Sequence, residues 1–180
     1  MRSVHVVLVA GILLAGCSPA DPGDGHPAAH AAAAVPDRPL DLCQLMPLAD
    51  VAGVLQANGA DTVTEQKAGP GGMCSYLHVP RPGDYRAKLL IDFTRMPSAG
   101  QAQAALAMQR RDFADRGTAV TAIPGLGDEA FVAETEGNEG LKLRVGPYVG
   151  QINLGIEGRP PASLRPAVQA LGRQVVGRLR

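Results

Sequence analysis

Arg86-Ala-Lys-Leu-Leu-Ile-Asp-Phe-Thr-Arg95 alternates. Ala87, Leu89, Ile91 and Phe93 fall on one side of an extended chain, Lys88, Asp92 and Thr94 on the other, and Leu90 interrupts the polar side. Successive side chains of a strand point to opposite faces. The stretch is therefore a half-buried antiparallel strand with one face on a core. Ser98 follows as a helix cap, with Gln101 three residues on at capping-box spacing. Ala102, Leu106, Gln109 and Phe113 then recur at helical spacing until Gly117 stops the helix.

The same punctuation extends both ways. Upstream, Pro47 suits the first turn of a helix carrying Leu48, Val51, Ala52 and Leu55, ended by Asn58-Gly59. Asp61–Gln66 and Cys74–Val79 read as strands, with Gly69–Gly72 and Pro80–Gly83 as turns. Downstream, Thr118–Ile123, Glu129–Glu134, Leu141–Val145 and Tyr148–Ile156 read as strands, and the breaks at Gly137-Asn138 and Gly146-Pro147 suit hairpins. A last helix from about Ser163 carries Leu164, Val168, Leu171, Val175 and Leu179. Hairpin strands punctuated by helices predict one α+β domain over 41–180, an antiparallel sheet packed by three helices.

The chain ahead of this domain reads differently. Val4–Leu14 is apolar apart from His5 and follows Arg2; at roughly ten residues it is short for a bilayer span and fits a signal-peptide core. Leu14-Ala15-Gly16-Cys17 closes it and resembles the lipobox of bacterial lipoproteins. Residues 1–16 are thus expected to be a lipoprotein signal peptide and Cys17 the acylated residue, giving a palmitate-type lipid anchor. Ser18 after the cysteine points, in a cell with two membranes, to the periplasmic side of the outer membrane. Residues 17–40 are rich in Pro, Ala, Gly and Asp and read as a flexible tether with a mean reach of about 25 Å.

Composition narrows the partners. With 17 basic and 17 acidic residues there is no cationic excess for nucleic acid. Tryptophan is absent, and with it the usual stacking platform for sugars or bases. Once Cys17 is acylated, Cys43 and Cys74 remain, an even pair in an oxidising compartment. A structural disulfide between them is expected, stabilising by about 3.7 kcal/mol in the chain-entropy view. A redox pair or a metal site would want Cys-x-x-Cys spacing or clustered histidines, which the sequence does not supply.

A resemblance rests on four short stretches in order: Asp41-Leu-Cys43-Gln-Leu-Met-Pro47-Leu-Ala-Asp-Val51, Cys74-Ser-Tyr76, Pro124-Gly-Leu-Gly127-Asp-Glu-Ala130-Phe131 and Leu141-Lys-Leu-Arg-Val145-Gly146. Together they resemble a family of small lipoproteins, common in actinobacteria, that carries a domain of unknown function. That domain is similar to the extracellular sensor domain of mycobacterial membrane serine/threonine kinases. The resemblance covers most of 41–180 and departs where the family usually has Trp near the second cysteine; Tyr76 stands there. It implies the Cys43–Cys74 bond and a bent antiparallel sheet, and it lends no catalytic residues.

Candidate chemistry is sparse. Gly125-Leu-Gly127-Asp-Glu-Ala130 matches a dinucleotide-binding spacing, but a strand, not the required helix, is expected after it. Ser75, His78 and Asp92 could suggest a triad; residues three apart on a strand face opposite ways. Asp128-Glu129 and Glu134, Glu136 and Glu139 read as solvated hairpin-end charges, and His26 and His30 lack further ligands for a metal. Arg165, Arg173, Arg178 and Arg180 on the last helix could meet an anionic surface; the plainer reading packs the apolar stripe and leaves the arginines solvated. No catalytic residue, cofactor or metal ligand is assigned. The expected function is a non-catalytic envelope lipoprotein that binds, senses or assists, with the membrane and an unknown envelope protein or small ligand as partners. The alternative is an inhibitor or immunity lipoprotein against a cell-wall hydrolase, using Ala68–Met73 or Pro80–Arg86 as the inserting loop.

Overall fold

The computed structural model describes residues 40–60, 62–79, 86–135 and 137–180. The expected leader, Cys17 and the tether up to residue 39, the His26/His30 pair, the Pro80–Gly83 turn and Glu136 lie outside the described residues; Leu40, expected as the end of the tether, is partly buried against the core. The rest is α+β: α1 (Leu42–Leu45), α2 (Leu48–Ala57), β1 (Glu65–Ala68), β2 (Cys74–His78), β3 (Ala87–Arg95), α3 (Ala99–Asp115), β4 (Val120–Ala122), β5 (Glu129–Thr135), β6 (Asn138–Val145), β7 (Tyr148–Ile156) and α4 (Arg165–Leu179). The strands form one open seven-stranded sheet in the order β1-β2-β3-β7-β6-β5-β4. Every neighbouring pair is antiparallel.

The alternating stretch is the centre of this sheet. β3 pairs along all nine residues with β7, from Ala87↔Ile156 to Arg95↔Tyr148. Its apolar face is buried as expected, Ala87, Leu89, Ile91 and Phe93 being at most 1% exposed. Register carries that face across the sheet to Cys74 and Tyr76 on β2, Ile152 and Leu154 on β7, and Leu141 and Leu143 on β6. Leu42 and Met46, Val51 and Leu55 of α2, and Val168, Leu171 and Val175 of α4 close over it.

The opposite face is covered only in part. Ala102 and Leu106 of α3 pack on Phe131, Ala133 and Val149, with Phe113 half-buried at the end of the helix. Ser98 caps α3 by accepting from the Gln101 backbone N–H at 3.2 Å, as the spacing predicted.

Two expectations change. A fourth helix, the single turn α1, is present; Asp41 caps it by accepting from the Gln44 N–H at 3.0 Å. The strand expected over Asp61–Gln66 is observed at Glu65–Ala68, with 62–64 outside it and Gln66 set opposite Tyr76. From there its carboxamide accepts from the Leu48 N–H at 3.0 Å and donates to the Cys43 carbonyl at 2.7 Å, holding the α1–α2 junction. The Tyr76 hydroxyl donates to the Met46 carbonyl beside it. Cys43 is bonded to Cys74, so α1 is stapled to β2 at the same place.

The charges on the last helix and the last hairpins also differ from expectation. Glu139 is not a solvated hairpin-end charge. It is fully buried on the core face of β6, and burial pushes its carboxyl up against the opposing pull of the Arg165 guanidinium. Arg165 donates to Glu139 Oε1 at 2.7 Å and to Glu134 at 2.8 Å. Arg178 pairs with Asp50 at 2.6 Å and donates to the Leu45 carbonyl. Arg180 lies 3.6 Å from Asp128. The helix that has no acidic residue of its own is thus pinned by acids from α2, β5, β6 and the turn before β5; of the four arginines, Arg173 is the one left exposed without a partner among the described residues.

Arg165→Met should strand the Glu139 carboxylate and destabilise by about 3–5 kcal/mol. Arg178→Met, removing a more exposed pair, should cost about 1 kcal/mol. Urea unfolding of both variants at neutral pH measures the difference, and equal costs would contradict the distinction drawn here.

Candidate functional site

The uncovered part of the sheet lies between the β1 edge and α3. Antiparallel register sets Leu77, Lys88 and Gly155 in one row of that face, Lys67, Ser75, Leu90, Asn153 and Gly140 in the next, and Asp92, Gln151, Lys142 and Phe131 in the third. Leu90, the residue that broke the polar alternation, stands in the middle of it.

Three concavities open on this face and share Lys88. One of about 480 Å³ is lined by Lys67, Ala68, Ser75 and Leu77. A second, about 320 Å³, lies among Leu90, Thr135, Asn138, Lys142 and Asn153. The third, about 590 Å³, runs from Arg86 and Asn138 to Glu157 and Arg159. Two glycines shape the floor. A Cβ on Gly140 would come within 2.9 Å of Asn153 Oδ1, and one on Gly155 would collide with Asn138 Oδ1. Only glycine lets those carboxamides lie flat across the strands.

Lys142 is the unusual member. It lines the second concavity yet is 6% exposed. Its ammonium donates to the Gln151 carboxamide and, at 3.3 Å, to Asn153 Oδ1, and it lies 5.5 Å from the centre of the Phe113 ring. Phe113 in turn meets Phe131 edge-on, 6.2 Å between centroids. Burial pulls the Lys142 amine down to about 8, against the Asp92 carboxylate, which acts to raise it. No carboxylate lies within ion-pair distance of Lys142 among the described residues. Lys88, at the rim, is exposed and likewise lacks a charged partner among them.

The residues singled out in the sequence are placed as follows. Ser75 and Asp92 share the open face, whereas His78, of the same parity as Cys74 and Tyr76, belongs to the other, so the three do not converge. Gly125 and Gly127 take positive φ (75° and 66°) in a turn that runs straight into β5. Asp128 there accepts from the Gly146 N–H at 2.7 Å and from Arg144 at 3.0 Å, tying the turn to the β6–β7 hairpin. Ala68–Met73 is the β1–β2 hairpin end, closed by a 3-10 turn at Pro70–Gly72. Among the described residues no group of three or more His, Cys, Asp or Glu could hold a metal ion. None of their helices is long and apolar enough to cross a membrane. Lys142 was not singled out, since a lysine alternating with leucines on a strand has the same pattern as one facing water. The available signal was the company of Gly140, Gln151, Asn153 and Gly155, which becomes meaningful only once β6 and β7 are in register.

Compared with known proteins, the chain matches no family model and no curated protein.

The buried amine gives a pH signature. The unfolded chain keeps the Lys142 proton to about 10.5, the folded chain only to about 8. Between those values the unfolded state holds more protons, so folding stability should rise with pH across that window; below it the full cost, about 3 kcal/mol, applies. Chemical denaturation at pH 7.5 and 9.5 should show the rise in the natural protein and its loss in Lys142→Met. An unchanged slope in the variant would remove Lys142 as its source.

Proposed function

We propose that this protein is a non-catalytic binding module of the cell envelope, held by a lipid on Cys17, and that its ligand or partner seats on the open half of the sheet. The observation that carries the reading is the unfinished layer: a core face closed by three helices lies back to back with a face that one helix covers only in part. A sheet face with mixed polar and apolar side chains and concavities meeting at one lysine has the form of a recognition surface. The bonded cysteines support an oxidising compartment. The separation of His78 from Ser75 and Asp92 supports binding over hydrolysis.

A photoreactive residue placed at Ser75, on the open face, should give discrete adducts in intact envelopes, and one at the exposed Arg173 should not. Equal labelling from both positions, or none from Ser75, would move the site elsewhere. Mass spectrometry of the mature N-terminus tests the anchor separately: an unmodified thiol at Cys17 would dispose of it.

A further inference from the structure

The pit between Lys88 and Lys142 specifies a chemistry. Resting on the reading of this face as a binding surface, we propose that the pit is an oxyanion site, taking a carboxylate or phosphate group of a small ligand between the two lysines, with the Asn138 and Asn153 carboxamides beside it.

The argument is one of unmatched charge. A buried cation is costly unless a carboxylate or several hydrogen bonds compensate it. The other buried charge among the described residues is paired directly, Arg165 lying 2.7 Å from the fully buried Glu139. Lys142 receives only neutral oxygens, from Gln151 and Asn153. The acid of its row, Asp92, influences it through space without forming an ion pair. The space into which a counter-ion would fit is a cavity of about 320 Å³, whose other cation, Lys88, is also without a charged partner among the described residues. Carboxamides carry N–H donors as well as acceptors, and those of Asn153 can satisfy the oxygens an ammonium leaves over. Gly140 and Gly155 keep the floor low enough for them. Breaking a packing rule at one place, while obeying it elsewhere, is characteristic of functional positions.

The test uses the full chain labelled with ¹⁵N, read at the side-chain amides of Asn138 and Asn153. Succinate and inorganic phosphate serve as probes, and succinamide as the uncharged isostere of the first. Saturable shifts with succinate or phosphate, and none with succinamide, are expected. Lys142→Met should weaken the responding anion at least tenfold and Lys88→Met by several-fold; Lys88 is exposed, so its variant reports even if the Lys142 variant fails to fold. Equal shifts with succinate and succinamide would overturn the oxyanion assignment and leave a binding surface for neutral groups. An absence of shifts with every probe would also overturn it, and adducts from Ser75 would then show whether the face binds a larger partner at all.

Discussion

The nine-residue ladder between β3 and β7 divides the molecule into a closed side and an open one. Because side chains alternate strictly along a strand, choosing this register decides for both strands at once which residues face the helices. A slip of one residue would put Lys88 and Asp92 against α4 and expose Leu89 and Ile91, so the burial of one apolar face enforces the pairing. On the other face, the part that α3 leaves uncovered follows from the same register without being selected for packing. Leu77, Lys88 and Gly155 come into line because Tyr76, Leu89 and Leu154 must lie together on the core side.

The closed side is secured by devices of different reach. The Cys43–Cys74 bond and the Gln66 carboxamide fasten α1 and the start of α2 to the β1–β2 hairpin. Arg165 and Arg178 fasten the two ends of α4, one to β5 and β6, the other to α2. These are unequal interactions. The Arg178 pair is partly solvated and adds little beyond orientation. The Arg165 pair involves a carboxylate with no exposure, where separation would leave a charge in an apolar layer. The first turn of α4 is therefore held more firmly than its stripe of leucine and valine alone would require.

Much of this was legible in the sequence, and what was not has a physical cause. Alternation in 86–95, the Ser98 cap, the glycine breaks and the stripe of the last helix all report local geometry, and local geometry is what they correctly predicted. The first strand was displaced because its position depends on the partner of Gln66, a contact invisible in Asp61–Gln66 itself. Glu139 was misread for a similar reason. A glutamate near a hairpin is normally solvated, and only the arrival of Arg165, 26 residues later in the chain, makes its burial tolerable. Lys142 combines both difficulties: it occupies a position that its own strand marks as polar, and its burial comes from Phe113 and the carboxamides of β7.

The open face has to satisfy opposing demands, and its composition shows how. A wholly apolar half-sheet would act as a sticky patch, prone to unselective association. A wholly charged one would remain hydrated and give a ligand little to displace. Here Leu77 and Leu90 provide limited apolar floor, Ser75 and the carboxamides provide directional hydrogen bonds, and Lys67 and Lys88 keep the rim soluble. Lys67 is already engaged by Glu65 at 3.2 Å, which leaves Lys88 and the submerged Lys142 as the lysines of this face without a carboxylate partner among the described residues. Charge on this surface is thus not spread evenly over its edges. Lys88 stands at the solvated rim and Lys142 is nearly buried below it, so of the two charges that of Lys142 is the less screened by water.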